Sequence, residues 1–442
     1  MKININYLKK FLLGNVVKNS IWLLLDKFIR LFGGLLVGAW IARYLGPDDY
    51  GLMNFAISFS TIFISFSMLG IDNLVVRELS KNTINLNNLL GTAVKIRNIG
   101  SILSAIIAII SAYLFYGDNV LFVYMVAIFM VTNIFQSMDV ITLFYQSKIK
   151  SEVVVKNKLL VYIIISIIKI IFIKINATVI SFILLTSIEL ILGMILVLRW
   201  FILNEKISIK KWKFNFNVAK RLLSEGWMLA ISNLSIIIFM KSDQIFLGGF
   251  VGNKEVGIYS IAVLVSNILY SVPMIVTSSI LPKLTQLYKE RIKYRQYSEK
   301  IFMLMVIYSY IVIGLIYIFI DKFIMFLYGS EYILSGDIIK IHSLTLLVVS
   351  IGCIRGCMYI VEGKTKILSI ITMAGGVLNI ILNYILINKY GIYGAAYAAL
   401  ISQSFVNYFS GFFCKSLYEI LILQTKSIIL FDFWKKILIF KR

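Results

Sequence analysis

Charged side chains inside long apolar segments are the residues of this sequence that could do chemistry. Asp26 and Arg30 interrupt the first apolar segment and lie four residues apart, which places them on one face of a helix. Lys241 interrupts a later segment, and Gln244 continues its face. A cation deep in a bilayer costs ~2.5–3.5 kcal/mol on insertion scales, so it needs water, a partner or a bound anion. We therefore expect Arg30 and Lys241 to form a cationic binding site. A sealed ion pair within the helix is the alternative for Arg30.

Other polar side chains inside apolar segments are further candidates for contact with the same ligand. Lys27 follows Asp26 but lies nearer the edge of its segment, where a lysine can also reach the bilayer surface. Asn54, Gln403 and Asn407 are neutral, and the last two are four residues apart. Neutral polar residues often hydrogen-bond helices to one another in membranes. Binding of ligand hydroxyl groups and helix packing therefore remain two interpretations of these residues.

Three intramembrane acids, Asp139, Glu189 and Asp243, are candidates for coupling transport to a cation, either H⁺ or Na⁺. The first two are equally suited to pair with Lys169 or Arg355. Asp243 points away from the face of Lys241 and needs a partner of its own.

No pattern of a catalytic, metal or cofactor site is present in the sequence. His342 is the only histidine, and Cys353, Cys357 and Cys414 lie in apolar segments, where they are expected to pack. The sequence lacks a phosphate-binding loop, and the predicted external loops are too short for a catalytic domain. We therefore expect a protein that is not an enzyme and has no cofactor apart from a coupling ion.

The composition is that of a polytopic membrane protein. The chain has 442 residues, 60% of them hydrophobic, and a mean hydropathy of +0.90. A soluble protein of this composition would lack a polar surface. Because about 20 apolar residues span a bilayer, we predict an all-α fold with twelve spans. These lie at 20–42, 50–71, 98–117, 119–146, 159–174, 177–199, 224–250, 256–280, 301–328, 337–361, 367–388 and 391–415.

The basic residues are distributed unequally between alternate connections. The N-terminal segment, the C-terminal tail and every second loop hold 33 lysines and arginines, and the intervening loops hold 5. Basic loops stay in the cytoplasm, so both termini are predicted to be cytoplasmic. The net charge of +23 is thereby explained by topology and anionic inner-leaflet lipid, without a nucleic-acid partner.

The first hairpin has a counterpart about 205 residues later. Gly46, Pro47 and Gly51 form a turn between a polar-interrupted helix and an uncharged one, and Gly252 and Gly257 recur at the same spacing. Six spans separate the copies, so both have the same orientation, as expected for parallel repeats. We predict an N-terminal lobe of six helices at 1–205 and a C-terminal lobe at 206–416 around a central cleft. A basic amphipathic tail follows at 417–442.

Three short motifs follow one another in the first 80 residues. They read Ile41-Ala42-Arg43-Tyr44-Leu45-Gly46-Pro47 with Tyr50-Gly51, then Leu69-Gly70-Ile71-Asp72, then Arg77-Glu78-Leu79. Together they resemble the opening hairpin of the polysaccharide flippases. These are the O-antigen and capsule repeat-unit exporters of the multidrug, oligosaccharidyl-lipid and polysaccharide exporter superfamily. Arg43, Asp72 and Arg77 lie at span edges, where a structural or gating role is expected.

The resemblance implies a substrate, namely an oligosaccharide linked to polyprenyl pyrophosphate and moved from the inner to the outer leaflet by alternating access. Cations would hold the pyrophosphate, polar side chains would hold the sugar, and the tail would stay in the lipid. The implied setting is a monomer in the cytoplasmic membrane that meets membrane lipids and a polysaccharide polymerase with its chain-length machinery. Alternatives are a cation-coupled drug antiporter, a flippase for cell-wall lipid precursors and, in another class, a membrane glycosyltransferase or polymerase.

Overall fold

A computed structural model describes residues 15–81, 84–205, 207–413 and 417–429, and the regular structure in these ranges is helical. Cys414 and half of the predicted tail, residues 430–442, lie outside the described residues. The predicted all-α polytopic class is confirmed. The α-helices are α1 (Asn15–Ser67), α2 (Asp72–Lys81), α3 (Leu86–Tyr116), α4 (Val120–Phe135), α5 (Val140–Ser147), α6 (Ser151–Lys174), α7 (Val179–Glu205), α8 (Phe216–Phe250), α9 (Asn253–Leu287), α10 (Arg291–Tyr328), α11 (Leu334–Val361), α12 (Thr365–Tyr390), α13 (Ile392–Asn407) and α14 (Tyr418–Ile428).

A break at Gly46 divides α1 into the two predicted spans of the first hairpin. Gly46 has a φ of 74° and a ψ of 171°, which are not helical angles. Glycine adopts a positive φ without a steric penalty, and the following Pro47 fixes its own φ and has no amide hydrogen to donate. These two residues therefore end one helical segment and start the next.

Within the described ranges, eight helices are long and apolar enough to cross a membrane, and the bent pair Lys18–Ser67 with Asp72–Lys81 is a ninth candidate. Each of the twelve predicted spans overlaps a described helix, although residues 414 and 415 of the last lie outside the described residues, and four spans differ from a simple apolar rod. The first two share α1, α6 carries several lysines, and α13 has only 16 residues. Many large apolar side chains are exposed, as on Leu114 and Phe326, which are 71% and 79% exposed. Such side chains suit contact with lipid.

The contacts divide the chain into two compact units. The first unit comprises residues up to Leu45 and Leu52–Ile237, and the second comprises Gly46–Gly51 and the residues from Ile238 onward. The core of the first includes Ile71, Val75, Leu90, Phe144 and Phe201, and that of the second includes Phe302, Val306, Ile354 and Tyr359. The predicted lobes at 1–205 and 206–416 stay a prediction.

Candidate functional site

One face of α6 supplies cations and an aromatic ring to the interior of the first unit. Lys158, Tyr162 and Lys169 follow one another at spacings of four and seven residues, which align side chains along one side of a helix. The predicted span boundaries leave Lys158 in the loop before the fifth span and place Lys169 within that span. The structure places both on the helix, opposite acids of other helices.

Arg30 on α1 lies between two carboxylates. Its Nε donates to Oδ1 of Asp26 at 2.9 Å, and its Nη1 lies 3.4 Å from Oε1 of Glu189 on α7. The ring of Tyr162 packs against the guanidinium, with Cζ 5.1 Å from the ring centroid. Gly33 makes room for this ring, since a Cβ there would lie 2.6 Å from the tyrosine hydroxyl. Arg30 is thus held by an intrahelical pair and by a second acid distant in sequence.

Glu189 is shared by two cations. Its Oε1 faces Arg30, and its Oε2 accepts a hydrogen bond from Nζ of Lys169 at 3.1 Å. The side chains of Glu189 and Lys169 are only 11% and 12% exposed. Removing one partner of such a buried pair costs about 3–5 kcal/mol, because the other charge is left uncompensated.

A second acid–base pair lines the same cavity. Nζ of Lys158 donates to Oδ1 of Asp139 at 2.8 Å, and the hydroxyl of Thr142 donates to the same oxygen at 2.6 Å. Asp139 ends a short 3₁₀ turn, Gln136–Asp139, between α4 and α5. The cavity has a volume of about 340 Å³. It is lined by Asp26, Arg30, Gln136, Asp139, Lys158, Glu189, Leu190, Gly193 and Met194.

We call Asp26, Arg30, Asp139, Lys158, Lys169 and Glu189 the charged cluster. It contains three acids and three bases, so its formal charge is zero when every group is ionised. A dianionic ligand could replace a carboxylate as the counterion of these cations, because a guanidinium and an ammonium bind phosphate oxygens as well as carboxylate oxygens.

The second unit contains a buried carboxylate whose partners are neutral. Asn383 donates to Oδ1 of Asp243 at 2.6 Å, and the hydroxyl of Tyr259 donates to Oδ2 at 2.7 Å. Asp243 is 7% exposed, and His342 lies 3.2 Å from the same tyrosine oxygen. Ser242 donates to Oδ1 of Asn379 at 2.6 Å. The partner that Asp243 was expected to need is therefore a set of neutral hydrogen-bond donors.

The other predicted binding residues occupy separate places. In the second unit, Lys241 donates to Gln244 at 3.2 Å, and Gln244 donates to Ser260 at 2.8 Å. Asn407 donates to the side chain of Gln403 at 2.8 Å. Two further candidates belong to the first unit, where Lys27 is exposed and Asn54 is half-buried. The joint site of Arg30 and Lys241 stays a prediction.

The two glycine turns meet within the second unit. Gly51 packs against the backbone of Asn253 and Gly257, and Gly257 packs against the carbonyl of Pro47. A Cβ at either glycine would overlap these backbone atoms. Gly46 and Gly252 have φ values of 74° and 144°. Gly51 and Gly257 are therefore constrained by contact. Gly46 and Gly252 are constrained by backbone conformation.

The motif after the first hairpin connects α2 to its neighbours in the first unit. Arg97 on α3 donates to Asp72 at 2.6 Å. Arg77 donates to Glu225 on α8 at 2.6 Å and to the buried Glu78 at 2.8 Å. Hydrogen bonds to Glu225 and then Glu78 raise the pKa of Arg77 above its ordinary value. Arg43, also from the motifs, is exposed at the end of the first segment of α1.

Sequence reasoning missed several residues of these sites. Tyr162 and Lys158 share a helical face with Lys169, which is a signal that the spacing contained. Asn379 and Asn383 are four residues apart in an uncharged span, and this spacing likewise places two amides on one face. Their proximity to Asp243 had no signal in the sequence, because it depends on how α8 and α12 pack.

Comparison with known sequences matches most of the chain to two families. A model described as "Polysaccharide biosynthesis protein" matches residues 16–288, and the MatE model matches residues 229–385. A relative in Haloferax volcanii, named as a probable low-salt glycan biosynthesis flippase, is 27% identical over 220 residues. A relative in Shigella flexneri, named as an O-antigen transporter, is 27% identical over 205 residues. These matches cover 48% and 46% of this chain, and the chain spans about half the length of each relative, 45% and 48%.

Two solved structures share the fold over nearly the whole chain. The lipid II flippase MurJ in an inward closed conformation has a TM-score of 0.72 at 17% identity, with 95% of this chain and 93% of that chain covered. An inward-facing multidrug transporter of the MATE family has a TM-score of 0.67 at 14% identity, covering 95% and 99%. At these identities the likeness concerns the fold.

Proposed function

Because the chain belongs to the polysaccharide biosynthesis protein family, we propose that it moves a polyprenyl-pyrophosphate-linked oligosaccharide repeat unit across the membrane. The predicted resemblance to the flippases of this superfamily is confirmed. The proposed direction is from the cytoplasmic to the outer leaflet, for the assembly of a surface polysaccharide such as O-antigen or capsule. Alternating access would expose the substrate site to each side in turn.

The observation that carries this proposal is the charged cluster in the first unit. Arg30 uses Nε and Nη1 in its contacts with Asp26 and Glu189, and a guanidinium has five N–H donors in all. It therefore retains donors for an anion while staying neutralised in the unliganded protein. Lys158 and Lys169 supply two more positive charges. Diphosphate, which must leave water to cross the bilayer, requires several cations of this kind.

We propose that diphosphate binding displaces Glu189 from its cations. Arg30 and Lys169 would turn to the phosphate oxygens, and the ligand would replace Glu189 as their counterion. When the diphosphate leaves, Glu189 would pair with both cations again. The same exchange would apply to Asp139 and Lys158, which line the same cavity.

Asp243 is the best candidate for coupling to an ion from solution. Asp139 and Glu189 are neutralised by basic residues, whereas the partners of Asp243 are an amide and a phenol. A carboxylate, amide oxygens and the hydroxyl of Ser242 are hard oxygen ligands, and the same carboxylate could instead bind a proton. We propose that H⁺ or Na⁺ binds at Asp243 and that its release drives the return of the empty transporter.

The proposed setting follows from the distribution of charge. The chain would lie in the cytoplasmic membrane with both termini in the cytoplasm, as the 33 basic residues on one side predict. The proposed partners are membrane lipids and the polymerase and chain-length machinery that would consume the exported unit, and the proposed state is a monomer. Among the alternatives, a drug antiporter would need acids in its site without matching cations. The pairing of Asp139 and Glu189 with bases disfavours such a site in the charged cluster, whereas Asp243 with its neutral partners would suit it.

Reconstitution tests the proposal. The purified chain is placed in liposomes together with a fluorescent polyprenyl-diphosphate-linked oligosaccharide, and the fraction accessible to a membrane-impermeant quencher is followed over time. We expect accessibility to rise with protein and not in protein-free liposomes. Movement of an organic cation, with no movement of the lipid-linked saccharide, would instead identify a drug antiporter.

A further inference from the structure

An apolar groove on the first unit lies apart from the charged cluster. It has a volume of about 670 Å³, which is larger than the cavity beside Arg30. Its walls come from the end of α1 and the residues after it, from α3, and from the first turns of α8 with the segment before them. The lining residues are Phe63, Phe66, Leu69, Ile96, Ile99, Gly100, Leu103, Ser104, Ile107, Phe214, Phe216, Ala219, Lys220 and Leu223.

Small residues form the bottom of the groove. Gly100 packs on the backbone of Ser67, and a Cβ there would lie 2.9 Å from that carbonyl oxygen. Ser104 and Ala219 are buried, at 4% and 5% exposed. The larger groups on the walls are exposed, as on Leu103 at 55%. The depth therefore arises from small residues on packed helices, beneath apolar side chains that face outward.

The segment before α8 is fixed to α3 by its backbone. Gly91 lies so close to Lys213 that a Cβ would come within 2.7 Å of its nitrogen. The amide of Lys213 donates to the carbonyl of Asn87 at 3.3 Å, and the amide of Asn215 donates to the hydroxyl of Thr92 at 2.9 Å. These contacts hold the two phenylalanines on either side of Asn215 in the groove wall. The groove is thus a built feature of the first unit.

The groove has the length and charge of a site for one leaflet of lipid. Ile96 and Ile107 are 11 residues apart on α3. At ~1.5 Å per residue this is ~16 Å, about half of the ~30 Å hydrocarbon core. Lys220 lies in the lining and Lys95 one turn before Ile99, and both lysines are exposed. They lie at the end that the proposed topology assigns to the cytoplasm, where a lipid phosphate would be.

α3 is a wall of the groove and also of a polar cavity. Ile96 and Gly100 line the groove, while the residues that follow them, Arg97 and Ser101, line a cavity of about 40 Å³. Gln136 and Asp139 line that cavity and the cavity of the charged cluster as well. A lipid in the groove would therefore lie one helix away from the polar interior of the first unit.

We propose that this groove binds the hydrocarbon tail of the lipid-linked saccharide, with its diphosphate at Lys220, before the head group reaches the charged cluster. The inference rests on the proposed function and adds a loading site to it. The tail would pack against the phenylalanines and α3, and the saccharide would remain in cytoplasmic water. Charge complementarity at the basic end favours an anionic lipid. The polar cavity that α3 also lines favours an anionic lipid whose head group is transported.

Photolabelling of the full chain in nanodiscs tests this site. The probe is a polyprenyl diphosphate with a photoreactive group in its hydrocarbon tail, and the labelled peptides are identified by mass spectrometry. We expect label on peptides that contain residues 96–107 and 214–223. Unlabelled polyprenyl diphosphate should compete, and a matching excess of phosphatidylglycerol should not.

Two substitutions with matched controls locate the site. Leu103→Trp fills the groove, and Ile106→Trp places the same bulk on α3 outside the lining, at a residue that is 50% exposed. Lys220→Glu reverses the charge at the basic end, and Lys81→Glu does so at an exposed position of α2. We expect the groove variants to lower labelling at least fivefold and the controls to leave it within twofold.

Each alternative result overturns a stated part of the proposal. Equal competition by phosphatidylglycerol would make the groove a general site for anionic phospholipid, and label that maps elsewhere would remove the loading site. Translocation of lipid-linked saccharide, measured on the same preparations, distinguishes failure of the loading site from failure of the proposed function. A wild-type chain that translocates, with groove variants that label and translocate normally, would refute the groove alone. A wild-type chain that labels in the groove but translocates no saccharide would refute the proposed function and with it the loading role.

Discussion

Gly51 and Gly257 lie backbone against backbone, although they belong to turns about 205 residues apart in the chain. The repeat in the sequence predicted two similar hairpins, but it did not predict that their turns would touch. A side chain on either glycine would overlap main-chain atoms of the other turn, and main-chain atoms cannot move aside as a flexible side chain can.

Substitution of these glycines should lower stability. We expect Gly51→Leu and Gly257→Leu each to cost about 1–3 kcal/mol or more, since overpacking displaces backbone. Gly46→Ala should cost about 1–3 kcal/mol, because its φ of 74° and ψ of 171° lie in a region that is open essentially only to glycine. Thermal unfolding in detergent, followed by loss of monodisperse protein, measures the effect. Gly314→Ala is the control, since a Cβ there meets nothing within 4 Å. Equal stability of all four variants would show that the two turns do not constrain each other.

Arg30 should be needed for translocation more than for folding. Arg30→Gln should lower the rate of translocation about tenfold to hundredfold, because hydrogen bonds to charged groups contribute about 1.5–3 kcal/mol. Arg30→Lys should retain part of the activity, since the charge remains and the planar fork is lost. Transport and protein level are measured on the same samples. A purely structural pair predicts another pattern, in which Asp26→Asn and Arg30→Gln both reduce protein level and the double variant recovers it.

Asp243 should set the dependence of transport on an ion gradient. Wild-type translocation in liposomes is expected to accelerate under a gradient of H⁺ or Na⁺, and Asp243→Asn should abolish that acceleration. Asparagine keeps the size and one oxygen of the side chain but cannot exchange a proton or balance a cation. Asp118→Asn, at an exposed loop position, is the matched control. An acceleration of equal size in Asp243→Asn would exclude this residue as the coupling site.

The predicted orientation can be measured with reporter fusions. A reporter placed after Asn253 should be external and one after Arg291 should be cytoplasmic, because one span separates these positions and the basic residues lie on the side of Arg291. Alkaline phosphatase and green fluorescent protein give opposite signals on the two sides. Location of both positions on one side would invalidate the orientation and the argument for parallel repeats.

The fold class and several charged residues of the first unit could be predicted from the sequence. The contacts between charged residues that are distant in the chain could not. Apolar segments and the Gly46-Pro47 turn indicate membrane helices directly, because their length and chemistry are local properties. The pairing of Asp26 with Arg30 is also a local property, because the two residues are about one helical turn apart. The contact of Arg30 with Glu189 depends on how α1, α6 and α7 pack, and no local pattern in the chain encodes that packing. Lys158 was misplaced because a lysine near a span end looks like loop sequence.

The long separation of Arg30 from Glu189 has a consequence for synthesis of the protein. The 159 residues between them take ~8–32 s to translate at ~5–20 residues per second. During that interval α1 has entered the bilayer while its distant acid is still on the ribosome. Asp26 is already present one turn away and can neutralise the guanidinium at once. The local pair would therefore serve as the counterion of Arg30 during synthesis, before α7 exists.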